Sequence, residues 1–162
     1  MAQNTGNMSS KNGKVEYSLD ASTWVDISGS ANTVTVTGGE RMTGDMFTGA
    51  EDTALIATGK RQPYVIEMRG VYSETTGTPE FFEALMTVYK SGAGVALRWS
   101  PTAYTAANQK RFTTATNSSG SATAAMVPIV NLEYPSLDFG SGDMRMAGLT
   151  LRSGEILTED HA

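Results

Sequence analysis

The stretch Gln62-Pro63-Tyr64-Val65-Ile66-Glu67-Met68-Arg69-Gly70-Val71-Tyr72-Ser73-Glu74 decides the fold class. Tyr64, Ile66, Met68 and Tyr72 fall on one face, with Gly70 among them. Val65, Glu67, Arg69 and Val71 fall on the other. Successive side chains of a strand point to opposite faces, so this period of two marks a long β-strand with one apolar and one mixed face. Pro63 has no N–H to give to a ladder and fits the strand's start.

Toward the N-terminus the same period recurs. Val15, Tyr17 and Leu19 alternate with Lys14, Glu16 and Ser18, and Asp20-Ala21-Ser22-Thr23 has turn chemistry. Trp24-Val25-Asp26-Ile27 starts a return strand, with Trp24 expected to seal one end of the core. Gly29 and Asn32 bracket another turn. Thr33-Val34-Thr35-Val36-Thr37 is a further strand with three threonines on one face. Residues 1 to 13 read as an N-terminal arm. From Gly38 to Arg61 no period is visible, so 38–61 reads as a long glycine-rich loop; loops of that length in compact domains are usually functional or disordered.

Toward the C-terminus one helix is expected over about 79 to 90. Thr78 suits its N-cap, Pro79 its first position, and Glu80 and Glu83 its positive end. Phe81, Phe82, Leu85, Val88 and Tyr89 form an apolar stripe at helical spacing, and Lys90 and Gly92 suit its end. Val95, Leu97 and Trp99 then alternate with Ala96, Arg98 and Ser100. Residues 113 to 125 read as a low-complexity loop. Val130, Leu132 and Tyr134 alternate with Asn131 and Glu133. Ala147, Leu149 and Leu151 alternate with Met146, Gly148, Thr150 and Arg152. Residues 153 to 162 read as an acidic C-terminal tail. The expectation is a mainly β (α+β) chain, an antiparallel β-sandwich or open barrel with one flanking α-helix over residues 14–152.

The composition narrows the function. The chain has 162 residues, enough for one domain with a sizeable core. It has 21 threonines, 17 glycines and no cysteine, which excludes disulfides and thiolate metal sites. The net charge of −5 argues against a nucleic-acid-coating surface. No apolar run reaches membrane-spanning length, and residues 1 to 13 lack the apolar stretch of a signal peptide, so a cytosolic origin is expected.

Catalytic constellations are missing from the sequence. The only histidine is His161, beside the C-terminus, a poor base for a triad. Gly38-Gly39 lacks the Lys-Ser/Thr of a phosphate loop. Glu51-Asp52 and Glu159-Asp160 are adjacent carboxylates of the kind that usually face solvent. The spacing of Glu51, Asp52 and Asp143 matches no calcium loop. No cofactor and no enzymatic activity are expected. Ser18-Leu19-Asp20-Ala21-Ser22-Thr23-Trp24 is similar to an Asp-box hairpin, a turn element, but is one residue short and lacks its glycine.

Several segments together resemble the tail tube (major tail) proteins of long-tailed bacteriophages. They are the hairpin Glu16 to Ile27 running into Thr33-Val34-Thr35-Val36, Gly59-Lys60-Arg61-Gln62-Pro63 leading into the long strand, the helix Pro79 to Lys90, and Ala96-Leu97-Arg98-Trp99-Ser100-Pro101. The resemblance spans about residues 14 to 152. It implies a virion structural protein, made in the host bacterial cytoplasm, whose copies form six-membered rings that stack into a tail tube. Each copy lends a sheet to a shared luminal barrel, through which double-stranded DNA passes at ejection without specific binding. Tape measure and tail-completion proteins are the further implied partners. At ~4.8 Å per strand and ~40° tilt, a barrel of roughly 24 strands is ~45–50 Å across its backbone, wide enough for a duplex.

On this reading the lumen-lining candidates are Thr33, Thr35, Thr37, Glu67, Arg69, Asn131 and Glu133, an acidic or neutral wall that would not hold phosphates. Alternation puts Arg152 with them. The inter-ring contact candidates are Arg41, Met42, Asp45, Met46, Phe47, Glu51 and Asp52 in the 38–61 segment. Two alternatives stand beside it. One is another virion part of the same fold, such as a tail terminator. The other is a carbohydrate-binding or adhesin module using Trp24, Trp99 and Tyr104 as a stacking surface.

Overall fold

A computed structural model describes residues 13–47, 49, 55–72, 81–116, 124–137, 139–140 and 146–161, without the side chains of 55–57. The quoted strand is β6 (Tyr64–Val71), and its alternation is realised: Ile66 and Met68 are buried, whereas Glu67 and Arg69 are exposed. It lies between β3 (Ala31–Gly38) and β10 (Met146–Ser153), both antiparallel, with Val34 opposite Met68 and Leu149 opposite Met68. β9 (Val127–Glu133) continues this sheet beyond β10.

A second sheet runs through β2 (Val25–Asp26), β1 (Lys14–Ser18), β7 (Gly94–Ser100), β8 (Lys110–Ala115) and β11 (Glu155–Asp160). β7 joins the two. Its first residues Gly94 and Val95 pair with Pro128 and Val127, and its later residues pair with β1 and β8. Among the described residues the architecture is mainly β, antiparallel and open, with one helix, as the sequence predicts.

The core fills the space between the sheets. Ile66, Met68, Leu149, Leu151 and Leu132 of one meet Tyr17, Val95 and Leu97 of the other. The helix α1 (Phe81–Ser91) buries Phe82, Leu85 and Val88; Phe82 meets Tyr72 and Tyr134 edge-on at 5.7 Å, and Phe81 meets Tyr17 at 5.3 Å. Its expected cap, Thr78 to Glu80, lies outside the described residues.

Several expectations change. The 38–61 stretch is not a patternless loop: β4 (Arg41–Met46) and β5 (Leu55–Arg61) pair antiparallel as a separate two-stranded ribbon. Its pattern escapes a periodicity test because every described β4 side chain is exposed, so no apolar face had to be written. Residues 113–115 are not loop. They end β8 and are buried, because small threonine and alanine side chains fit closely between strands. The C-terminal segment is not a tail. It is β11, with Glu159 and Asp160 in register with Arg111 and Lys110 and ion-paired to them. Val130 does not share the core face with Leu132. The β9–β10 register shifts so that Val130 is the extra residue of a bulge, 52% exposed. Glu16 and Ser18 are buried, Glu16 beneath Arg98 and Lys14. Leu19 lies past the end of β1 and is exposed. Trp24 seals nothing. It is half-buried with the Arg98 guanidinium 4.0 Å above its ring. The Asp20 turn forms as read: its carboxylate accepts the N–H groups of Ser22 (2.8 Å) and Thr23 (2.6 Å), which hold its carboxyl well below the usual range.

The chain passes from one sheet to the other at Gly154, between β10 and β11. A Cβ there would sit inside the contact radius of the Thr116 carbonyl oxygen and 2.8 Å from its carbon, so only glycine fits. The buried Ser153 hydroxyl closes this corner, accepting from the Ala115 N–H at 3.1 Å and facing the Ala115 carbonyl at 2.8 Å.

Candidate assembly surfaces

The seven lumen-lining candidates all lie on one surface, the outward face of the β9–β10–β6–β3 sheet. The ladder sets them in rungs. Glu133, Gly148, Arg69 and Thr33 form one; Asn131, Thr150, Glu67 and Thr35 form the next; Arg152, Val65 and Thr37 follow. Thr33, Thr35, Thr37, Glu67, Arg69, Asn131 and Glu133 are all exposed. A shallow depression of about 250 Å³ lies among Glu67, Arg69, Asn131, Glu133 and Thr150.

Two carboxylates, Glu67 and Glu133, face two guanidiniums, Arg69 and Arg152, so the described face is formally neutral. Arg69 reaches across β10 to Glu133, Nη2 to Oε2 3.2 Å. Gly148 stands between them in the rung, and a Cβ on it would lie 2.6 Å from the Glu133 carboxylate. The missing side chain is what lets charges two strands apart meet. Composition gave no sign of Gly148's role; strand register reveals it.

The sheet ends in two open edges among the described residues. β3 pairs only with β6. β9 pairs with β10 along its length and on its other side only through Val127 and Pro128. Unpaired edge N–H and C=O groups are templates for another strand.

The ribbon is the second surface. It leaves the sheet at Gly38 and Gly39, whose φ values of 83° and 76° lie in the region only glycine adopts freely. A Cβ on Gly38 would lie 2.6 Å from the Pro63 carbonyl, and one on Gly39 would strike the Tyr64 ring. The root is fixed by Gln62 N–H to the Glu40 carbonyl (2.8 Å) and by the Arg61–Glu155 ion pair. Of the inter-ring candidates, Arg41, Met42, Asp45 and Met46 lie on β4 and Phe47 just beyond; Glu51 and Asp52 fall outside the described residues. Met42 is 59%, Met46 62% and Phe47 71% exposed.

The residues of the stacking-surface alternative do not converge. Arg98 and Trp99 alternate along β7, so Trp24, beneath Arg98, is on the opposite side from Trp99, which packs on Phe112 at 5.9 Å. Tyr104 lies under Arg111 and against the His161 ring.

The same fold, antiparallel and open with one helix, occurs in chains of solved assemblies. A chain of the sheath–tube complex of an extracellular contractile injection system (PVC, extended state) matches with a TM-score of 0.65, at 14% identity, over 97% of this chain and 94% of its own. A chain from the tube-terminating cap of the anti-feeding prophage matches at 0.64 with 13% identity, over 99% and 95%. A chain from the tail of an empty gene transfer agent particle, refined with helical and C6 symmetry, matches at 0.59 with 12% identity, over 99% and 100%. At these identities the likeness is one of fold: the chain shares the fold of these chains from phage-like tail and injection assemblies. No protein-family model and no curated protein matches the sequence.

Proposed function

We propose that this chain is a non-enzymatic structural subunit of a phage-like tail tube, self-assembling into six-membered rings that stack, with the outward face of β9–β10–β6–β3 lining the lumen. The observation that carries this reading is the full-length fold match to chains of assembled tails, one of them refined with C6 symmetry. The sheet supports it. Joining β3 of one copy to β9 of the next removes both open edges and gives a closed barrel. A formally neutral face, with Arg69 paired to Glu133, would let double-stranded DNA pass without gripping phosphates. The tape measure and tail-completion proteins are then its partners, and the virion tail its location.

The 38–61 segment supplies inter-subunit contacts in this reading. An isolated two-stranded ribbon is marginal in water and gains stability from a neighbour. The test is negative-stain electron microscopy of the purified protein beside light scattering. Rings or tubes are expected, and a monodisperse monomer across protein and salt concentrations would overturn the proposal. Rings that form but never stack would instead assign the chain a terminator role, a reading supported by the match to a terminating-cap chain. Deleting residues 42–56 should leave a folded monomer that no longer polymerises; unchanged filaments would remove the segment from the contact.

A further inference from the structure

The sandwich is not closed on the side where β3 and β11 face each other. Val36 and Tyr64 of one sheet and Trp99, Phe112, Ile156 and Thr158 of the other line an apolar cavity of about 370 Å³. Val36 is on the inner face with Val34, yet it is 36% exposed, because the core stops short of this edge. The same chain carries a matching apolar element in Met42, Met46 and Phe47, which the described residues leave largely uncovered.

The ribbon cannot fill the cavity of its own chain. It departs from the cavity's rim at Gly39, packed under the Tyr64 ring, and is fixed there by Arg61–Glu155 and Gln62–Glu40. Met46 lies seven residues further on, about 23 Å along an extended strand. Folding it back would break the pairing of Asp45 and Met46 with β5.

We propose that the Met46–Phe47 end of the ribbon of one copy seats in the Val36–Trp99–Phe112–Ile156 cavity of a second copy. The inference rests on the reading that the chain self-assembles. It goes further by naming both halves of one contact. The contact is heterologous, ribbon to cavity, so each copy offers one of each and the series closes into a ring or continues as a filament. Such an occupant buries the two most exposed apolar side chains of β4 and its extension, and closes the core at its open edge.

The test uses complementary variants of the full chain. Met46→Asp with Phe47→Asp disables the ribbon, and Val36→Lys disables the cavity. Each variant alone is expected to be a folded monomer by circular dichroism and light scattering. Mixed in equal amounts, they are expected to regain association, because the intact ribbon of one variant can seat in the intact cavity of the other. The chain has no cysteine, so a Val36→Cys, Met46→Cys double variant forms disulfides only at introduced sites. A reducible ladder of oligomers is expected on a non-reducing gel. A Val36→Lys protein that assembles at the parental concentration, as it would if the chain's own residues filled the cavity, overturns the inference, as does an assembled Cys variant without a ladder. A parent protein that is itself monomeric overturns the self-assembly reading and this contact with it.

Discussion

Replacing Gly154 by alanine tests whether the passage between the sheets is a packing constraint. The new Cβ would overlap the Thr116 carbonyl oxygen and approach its carbon to 2.8 Å. Both atoms are backbone, so no side chain can swing aside; either β11 moves away from β8 or the end of β8 moves. Overfilling a packed site costs typically 1–3 kcal/mol, and a central value of about 2 kcal/mol lowers the melting temperature of a chain this long by about 4–8 °C. Gly29→Ala is the control: nothing lies within 4 Å of its would-be Cβ, so a change within about 0.5 kcal/mol is expected. Thermal unfolding would be followed by near-UV circular dichroism, which sees Trp99 on Phe112 beside the β11 edge. A Gly154→Ala protein melting within 1 °C of the parent would refute the steric argument.

Glu133→Gln frees Arg69 and leaves the luminal candidate face with an excess positive charge, while the exposed ion pair itself contributes only about 0–1 kcal/mol. Assembled particles of this variant should retain duplex DNA at low salt and release it as salt rises; retention equal to the parent's at every salt would show that pairing is not what keeps Arg69 inert. Burial pulls the Glu16 carboxyl upward, but hydrogen bonds and charge from Arg98 and Lys14 outweigh it, so it sits below the ordinary carboxylate value. A depressed acid stabilises the fold above its unfolded pKa and loses that stability on protonation. Unfolding free energy should therefore decline as pH falls below about 4.5, and more shallowly in Glu16→Gln; parallel pH profiles would contradict this. Leu85→Ala removes a fully buried contact of α1 and should cost about 2–5 kcal/mol in urea unfolding, a loss under 1 kcal/mol meaning that the helix is not docked as described.

The sheet was legible wherever one face is core and the other solvent. β6 and β10 each put apolar side chains at every second position toward the core, and α1 carries an apolar stripe at helical spacing. Legibility failed where that contrast is absent. β4 has no buried face, so Arg41 to Met46 looks like loop. The end of β8 is buried with the same threonines and alanines that make a low-complexity tract. β11 hides in an acidic segment because its charges are neutralised by Lys110 and Arg111, some 50 residues away in sequence. The polar face was found because Glu67/Arg69 and Asn131/Glu133 each reveal a face on their own strand. The Arg69–Gly148–Glu133 rung needs three strands in register, which no single segment encodes. The cavity is likewise assembled from β3, β6, β7, β8 and β11.

β7 is hydrogen-bonded along both edges, to β1 on one and to β9 and then β8 on the other, and Val95, Ala96 and Leu97 are completely buried. The Leu97 N–H is taken by the Thr114 hydroxyl at 3.0 Å. Its amides can therefore meet deuterium only when the whole molecule opens, whereas β4 amides are shielded by a single partner strand and exchange through local fraying. An isolated copy would show these two clocks far apart along one chain. If the chain assembles as proposed, the slow clock has no reason to change, and a slowing of the fast one would time the proposed capture of the ribbon by a neighbour.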